Sequence, residues 1–375
     1  MVIKLTSIQD ICTKILTAVD NSNISSVTET IEIKTVDKTL YLCVTNREYY
    51  ASVKLTLESA EDLHATVNAN LFLKLISQIT TENVEFKVED NSLIIVGNGT
   101  YKLPLIFNGD EMLELPPITI ANVTSKFDVK SDILNSINTY NSKELNKAVV
   151  TRPVQRLYYI DDKGCITFTT GACVNSFTLS SPIKILINNK IVKLFKLFKD
   201  ETVHFELGHD AISEEIIQTK VKFETDNVCI TAIINNDDSL VSSVPVDAIR
   251  GRATTVYPHQ ASIAKDELLQ TIGRLMLFTT TDKTANNKNY SKFVFTKDKV
   301  TVYDAFGNNK EEISYGSVDE NAEDYSYEAT LDLNDIKSTV ENCTETYVLI
   351  GFGDSSAITV SRGNVVNVIP EVVVA

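Results

Sequence analysis

Asn188-Asn-Lys-Ile-Val-Lys-Leu-Phe-Lys-Leu-Phe-Lys-Asp200 is the stretch from which the rest of the chain can be read. Advanced at about 100° per residue, it predicts one amphipathic helix. Ile191, Leu194, Phe195 and Phe198 share a face, while Lys190, Lys193, Lys196 and Lys199 fan across the opposite half. Val192 and Leu197 fall at the borders, and no acidic residue interrupts the lysines before Asp200. Such a helix buries one side and offers a row of ammonium groups to something negative. A plain solvated helix has the same pattern, so the surrounding chain must decide between them. A membrane-surface helix is disfavoured by the absence of Trp and by flanking segments that read as packed strands.

The 375 residues leave room for two or three domains, and 43% hydrophobic residues suffice for buried cores. A formal charge of −15 excludes a generally sticky nucleic-acid binder, because most of the surface must repel phosphate. Contact with a polyanion has to be confined to a local basic surface. The six cysteines, Cys12, Cys43, Cys165, Cys173, Cys229 and Cys343, form no CxxC pair and mostly sit in apolar runs. That pattern predicts buried, reduced thiols. The opening MVIKLTSIQDI has no signal-peptide core, and no apolar run approaches bilayer length. The expected compartment is the cytoplasm.

Outward from the lysine stretch, the same order of elements recurs three times. Helices are expected at Ser7–Val19 and Asn68–Thr80, then at Val129–Tyr140 and the lysine stretch, then at Asp266–Phe278 and Leu331–Asn342. Runs of period-two apolar residues, closed by Asn, Asp and Gly turn signals, follow each one. Glu82-Asn-Val-Glu-Phe, Glu201-Thr-Val-His-Phe and Glu345-Thr-Tyr-Val-Leu each join a second helix to a strand, roughly a domain's length apart. The expectation is an α+β chain of three tandem modules, each with two helices packed on antiparallel sheets. The boundaries fall at residues 1–122, 123–252 and 253–375.

No catalytic constellation emerges. His64, His204, His209 and His259 lack metal-ligand spacing, and His204 in a strand pattern reads as structural. There is no Walker loop, GxSxG elbow or GxGxxG, and pairs such as Asp237-Asp238 and Glu311-Glu312 lie in polar turns. A non-enzyme without metal or cofactor is expected. The competing non-catalytic reading is a scaffold whose lysine helix docks an acidic protein.

Thr151-Arg-Pro-Val154, followed by a strand pair ending Ile166-Thr-Phe-Thr-Thr-Gly-Ala172, resembles the TRPVL…LxFxATDG segment of the bacterial β sliding clamp family. Val365-Val-Asn-Val-Ile-Pro370 is similar to that family's terminal YVxMP strand, and Leu240-Val-Ser-Ser-Val-Pro245 to its LVDGxFP turn. The likeness covers nearly the whole chain. Departures are Gln155 for leucine, Ala172-Cys173 for a His-Arg pair, Val246-Asp247 for Asp-Tyr, and a tail running on as Glu371-Val-Val-Val-Ala375. The Asn-, Ile- and Lys-rich composition points to an AT-rich source, of which a bacterial virus is one.

The resemblance implies a processivity factor for a replicative DNA polymerase, two chains closing head to tail into a ring around duplex DNA. Its inner surface would carry Lys14, Lys74, Lys190, Lys193, Lys196, Lys199, Arg274 and Lys337, with Asp10, Asp335 and Glu341 among them. It implies a cleft for short QLxLF-like tails of polymerase, clamp loader and repair proteins. Carried over residue by residue, the cleft is Arg152, Gln155, Thr169, Gly171, Val174, Pro245, Val368, Ile369 and Pro370. It implies a seam in which Leu277 and Phe278 of one chain meet Tyr101 and Leu103 of the other.

Overall fold

The computed structural model describes residues 1–20, 26–59, 61–145, 153–213, 217–278, 289–317, 323–353 and 356–372. These residues repeat one plan six times: a strand running straight into a helix, then three antiparallel strands. The first pass is β1 (Val2–Lys4), α1 (Leu5–Leu16), β2 (Thr30–Val36), β3 (Thr39–Thr45) and β4 (Tyr49–Thr56). The second is β5 (His64–Asn68), α2 (Ala69–Gln78), β6 (Asn83–Glu89), β7 (Ser92–Val96) and β8 (Thr100–Pro104), trailed by the small pair β9 (Phe107–Asn108) and β10 (Glu111–Met112). The third is β11 (Asn122–Lys130), α3 (Ser131–Leu145), β12 (Leu157–Asp161), β13 (Gly164–Phe168) and β14 (Ala172–Ser176). The fourth is β15 (Lys184–Asn188), α4 (Asn189–Leu194), β16 (Thr202–Ala211), β17 (Ile217–Glu224) and β18 (Val228–Ile234). Two short helices, α5 (Asp238–Ser242) and α6 (Val246–Ala253), then lead on. The fifth pass is β19 (His259–Ala264), α7 (Lys265–Leu275), β20 (Tyr290–Thr296), β21 (Lys299–Tyr303) and β22 (Lys310–Ser314). The sixth is β23 (Ser326–Asp332), α8 (Leu333–Glu341), β24 (Tyr347–Phe352), β25 (Ala357–Arg362) and β26 (Val365–Pro370).

The strand-to-helix junction has a simple cause. The last strand residue keeps an extended backbone and serves as the helix cap, as at Asn68 (φ −63°, ψ 121°) and Asp332 (φ −77°, ψ 117°). Both side chains accept the N–H of a first-turn residue, Asn68 from Leu71 and Asp332 from Asn334. The helices then bury residues at spacings of three and four: Leu5, Ile8, Ile11, Cys12 and Ile15 in α1, and Leu268, Thr271, Ile272 and Leu275 in α7.

By contact the chain forms two compact units, Met1–Asn135 with Lys190–Asn236, and Ser136–Asn189 with Asp237–Ala375. The first holds a four-stranded sheet, β1-β6-β7-β8, and an eight-stranded one, β11-β16-β17-β18-β4-β3-β2-β5. The second holds β15-β12-β13-β14-β26-β25-β24-β19 and β22-β21-β20-β23. Every leading strand pairs with the first later strand of another pass, and β4 with β18 and β14 with β26 join passes into the long sheets.

The two long sheets treat their outer faces differently. In the first unit, period-two alternation puts Ile33, Leu42, Val53, Val221 and Phe223 on one face, all buried. The opposite face carries cross-strand ion pairs, Lys126 to Glu206 at 2.8 Å and Lys54 to Glu224 at 3.4 Å, and two histidine–carboxylate contacts, His204 Nδ1 to Asp128 Oδ1 at 2.6 Å and His64 Nε2 to Glu32 Oε1 at 2.9 Å. His204 is thus a structural partner of Asp128, and this face is satisfied within its own sheet. In the second unit the outer face is apolar. Tyr159, Ile166, Val174 and Leu186 pack there against Val244 and Ile249 of the α5–α6 segment. Arg250 fastens α6 down, donating to both oxygens of the buried Asp161 at 2.8 and 2.6 Å.

All six cysteines are free thiols, five of them buried. Burial drives the Cys12 thiol far up, and the Cys43 thiol up to about 11.

Candidate functional site

The lysine stretch is not one continuous helix. α4 ends at Leu194, Phe195–Leu197 form a 3-10 turn, and Phe198 is already extended (φ −93°, ψ 124°). Asp200 takes the left-handed backbone at φ 52°, which turns the chain into β16. The start of α3 holds this exit: Asn135 Nδ2 donates to Phe198 O at 2.8 Å, and Ser131 N to Glu201 O at 3.0 Å. Tightening follows from composition. Val192 and Leu197, expected at the borders, are buried along with Ile191, Leu194, Phe195 and Phe198, more apolar bulk than one stripe of an α-helix can hide. The 3-10 turn has about three residues per turn, so residues three apart stack in line rather than fan. Lys193, Lys196 and Lys199 are exposed, with no ion pair to them among the described residues. Lys190 reaches back to Asp20 at 3.7 Å and Glu48 at 3.6 Å.

The other expected cations are less available. Lys74 is exposed on α2. Lys14 is half-buried and lies 3.0 Å from Asp10. Lys337 lies 3.9 Å from Glu341. Arg274 grips Glu311 through Nε at 2.9 Å and Nη2 at 2.6 Å. That bond holds the guanidinium above its ordinary range and the Glu311 carboxyl below its own. Sequence reading placed Asp10 and Glu341 among these cations but missed Glu48 and Glu311, which arrive from other elements.

A second feature lies in the second unit, a cleft of about 310 Å³ where the α6 segment stops covering the apolar sheet face. Of the residues expected there, Thr169, Gly171, Pro245, Val368 and Pro370 line it. Gln155 stands behind, with Nε2 3.4 Å from Thr169 O. Val174 and Ile369 do not line it; both are core residues, on opposite faces of the sheet. The pleat explains Ile369: neighbours on a strand point to opposite faces, so with Val368 in the cleft Ile369 must point into the other core. Arg152 lies outside the described residues. Sequence reading missed Phe168, Ala248, Ile249, Arg252 and Ser356, which also line it. Three of them sit on or beside α6, a helix whose signal was the Pro245 start and the Arg250/Arg252 end. Gly171 is required by proximity, since a Cβ there would stand 2.6 Å from Val368 O.

Of the expected seam residues, Leu277 and Phe278 follow α7 in a 3-10 turn and are 69% and 47% exposed. Tyr101 is half-buried on β8, and Leu103 beside it belongs to the core. No group of three His, Cys, Asp or Glu among the described residues could hold a metal ion. Among them, no helix is long and apolar enough to cross a membrane.

No protein-family model matches the chain. In sequence, 160 residues match the beta sliding clamp of Helicobacter pylori at 24% identity, spanning 37% of this chain and 42% of that protein. The DNA polymerase III β subunit of Thermotoga maritima superimposes with a TM-score of 0.77 over 100% of this chain and 99% of its own, at 12% identity. The DNA polymerase sliding clamp of Bacillus subtilis does so with 0.75 over 100% and 99%, at 15% identity. A DnaN sliding clamp of Pseudomonas aeruginosa, bound to griselimycin, gives 0.76 over 100% and 99%, at 12% identity. The fold is therefore that of a DNA sliding clamp. Among clamps, it is the bacterial DNA polymerase III β subunit that the chain resembles, at low sequence identity.

Proposed function

We propose that two copies of this chain close head to tail into a ring around duplex DNA, slide along it without reading sequence, and tether a replicative polymerase through peptides held in the cleft. The modules would be residues 1–122, 123–252 and 253–375, and the site of action the bacterial cytoplasm. The clamps it resembles are named as polymerase subunits, and one is bound to griselimycin. This chain would work without catalysis.

The observation that carries ring closure is the sheet pattern. β4 pairs with β18 and β14 with β26, leaving β8 and β22 as the last strands of two four-stranded sheets. Gly97 N donates to Gly99 O and Leu105 N to Asn91 O, both at 2.9 Å, so alternation turns the backbone of Thr100 and Lys102 outward. Asp304 N to Asn309 O at 2.8 Å and Tyr315 N to Asp298 O at 3.1 Å do the same for Lys310, Glu312 and Ser314 on β22. Antiparallel pairing of β8 with the β22 of a second copy, Lys102 opposite Glu312, aligns the outward groups and opposes unlike charges. Exposed Leu277 and Phe278 would flank that seam. Within the ring, flexible ammonium groups touch phosphates and not base edges, so sliding is indifferent to sequence.

The test is topological. The protein is threaded onto a linear duplex, both ends are blocked with bulky caps, and the sample is washed at high salt. A ring stays on and leaves when a restriction enzyme cuts the DNA. A scaffold that docks an acidic protein through its lysines is washed off whether or not the ends are blocked, and that result would overturn the proposal.

A further inference from the structure

We propose that one water molecule is bound beneath α8, bridging the Asn367 side chain to the helix and so pinning α8 over the strand pair that joins β14 to β26. The site is a pocket of about 10 Å³ within the second unit, with Asn367, Gly171 and Ile369 on the sheet side and Asp335 and Thr339 on the helix side. It shares Gly171 and Val368 with the wall of the cleft but lies under the other face of the sheet.

Asn367 is 2% exposed on β26, opposite Cys173 of β14 and Val360 of β25, both buried. Val368 lines the cleft, so the pleat turns Asn367, like Ile369, to the face that α8 covers. Pairing on both sides commits the strand's backbone groups to the two ladders. The side-chain Nδ2 has no hydrogen-bond partner among the described residues. Native interiors satisfy nearly every buried amide, with protein or with ordered water, because a donor stripped of water and left bare is costly. Here the acceptor has to come from the pocket.

The far wall belongs to α8, where Asp335 and Thr339 stand four residues apart and share one face of the helix. Arg362 Nη1 engages the Thr339 carbonyl. The acceptors this wall can offer are the Thr339 hydroxyl and the Asp335 carboxylate, which takes several bonds at once. Volume then selects the occupant. A buried water needs roughly 10–15 Å³, so one fits and no organic group does. A cation is refused by an N–H dipole aimed at it, whereas water accepts from Asn367 Nδ2 and gives both hydrogens to oxygens on α8. Three partners are the usual complement of an internal water.

The test is a crystal structure of the full chain at a resolution that shows ordered water, with Asn367→Leu as a control of similar volume. The proposal expects a single peak within about 3.2 Å of Asn367 Nδ2 and of a side-chain oxygen on α8, absent in the variant. In solution, the Asn367 side-chain amide, read by nuclear magnetic resonance after asparagine-selective nitrogen labelling, should cross-relax with a slowly exchanging water. No peak, no water contact in solution, or an Asn367 amide bonded instead to a protein acceptor overturns the proposal. So does a peak ringed by oxygens at metal–oxygen distances, which is a cation. If Asn367→Leu fails to fold, the crystal and solution readings of the wild type decide alone.

Discussion

Replacing Lys193, Lys196 and Lys199 together by Ala should change how DNA binding depends on salt, by an amount that follows from the geometry. The three side chains are exposed, and no ion pair to them is present among the described residues. Each ammonium that neutralises a phosphate adds about 0.9 to the slope of log K against log salt. Three such contacts therefore contribute about 2.7 for each engaged chain, and a fourfold rise in salt costs wild type roughly fortyfold more affinity than the variant. Lys190→Ala should lower the slope by clearly less than one contact, because Lys190 must first leave Asp20 and Glu48. The assay is anisotropy titration of a short labelled duplex over a salt series, repeated on a second duplex of unrelated sequence. Exposed side chains at these positions should leave unfolding within about 0.5 kcal/mol of wild type. An unchanged salt slope in a folded triple variant would refute the assignment of this turn to DNA.

Four further outcomes concern the cleft and the seam. Arg250→Ala should cost about 3 kcal/mol in denaturant unfolding, because it strands the buried Asp161 carboxylate and releases α6. Burial alone would raise the Asp161 carboxyl, but bonds from Arg250 and from Lys163 N outweigh it and hold the group below its usual range. Its contribution is thus complete above the unfolded value of about 4 and lost as pH falls through the lower folded value, so Asp161→Asn should flatten the acid limb of stability against pH. Gly171→Ala forces its new Cβ against Val368 O and should destabilise by about 1–3 kcal/mol while weakening peptide binding, checked by unfolding and anisotropy together. Lys102→Pro removes an outward-facing N–H from an edge strand that tolerates proline, and should weaken self-association about tenfold in analytical ultracentrifugation with the monomer intact. An unaltered dimer would place the seam elsewhere.

Much of this architecture is legible in sequence, and the omissions have physical causes. The faces of α1, α2, α7 and α8 are legible because each buries one apolar stripe at helical spacing. The leading strands escape notice because some are very short, as Val2–Lys4 is, and others lack apolar alternation, as Asn122–Lys130 does at a sheet edge. The lysine stretch is recognisable as cationic on one side but not as a broken helix, since a spacing of three suits both α and 3-10 geometry until burial is known. Polar partners from distant elements are invisible in one dimension: Glu311 on Arg274 and Glu48 on Lys190 come together only through sheet pairing. The cleft was found through resemblance rather than pattern, and its boundary on β26 depends on the pleat separating Val368 from Ile369. Arg252 gave no signal because an arginine ending a short polar helix reads as solvated surface.

The central claim is that this chain closes into a ring by pairing β8 with the β22 of a second copy. Negative-stain imaging of the purified protein, at a concentration where ultracentrifugation shows a dimer, tests it most directly. The account predicts closed particles with a central hole wide enough for a duplex, losing the hole when Lys102 is replaced by Pro. Dimers that are compact and have no hole would contradict it.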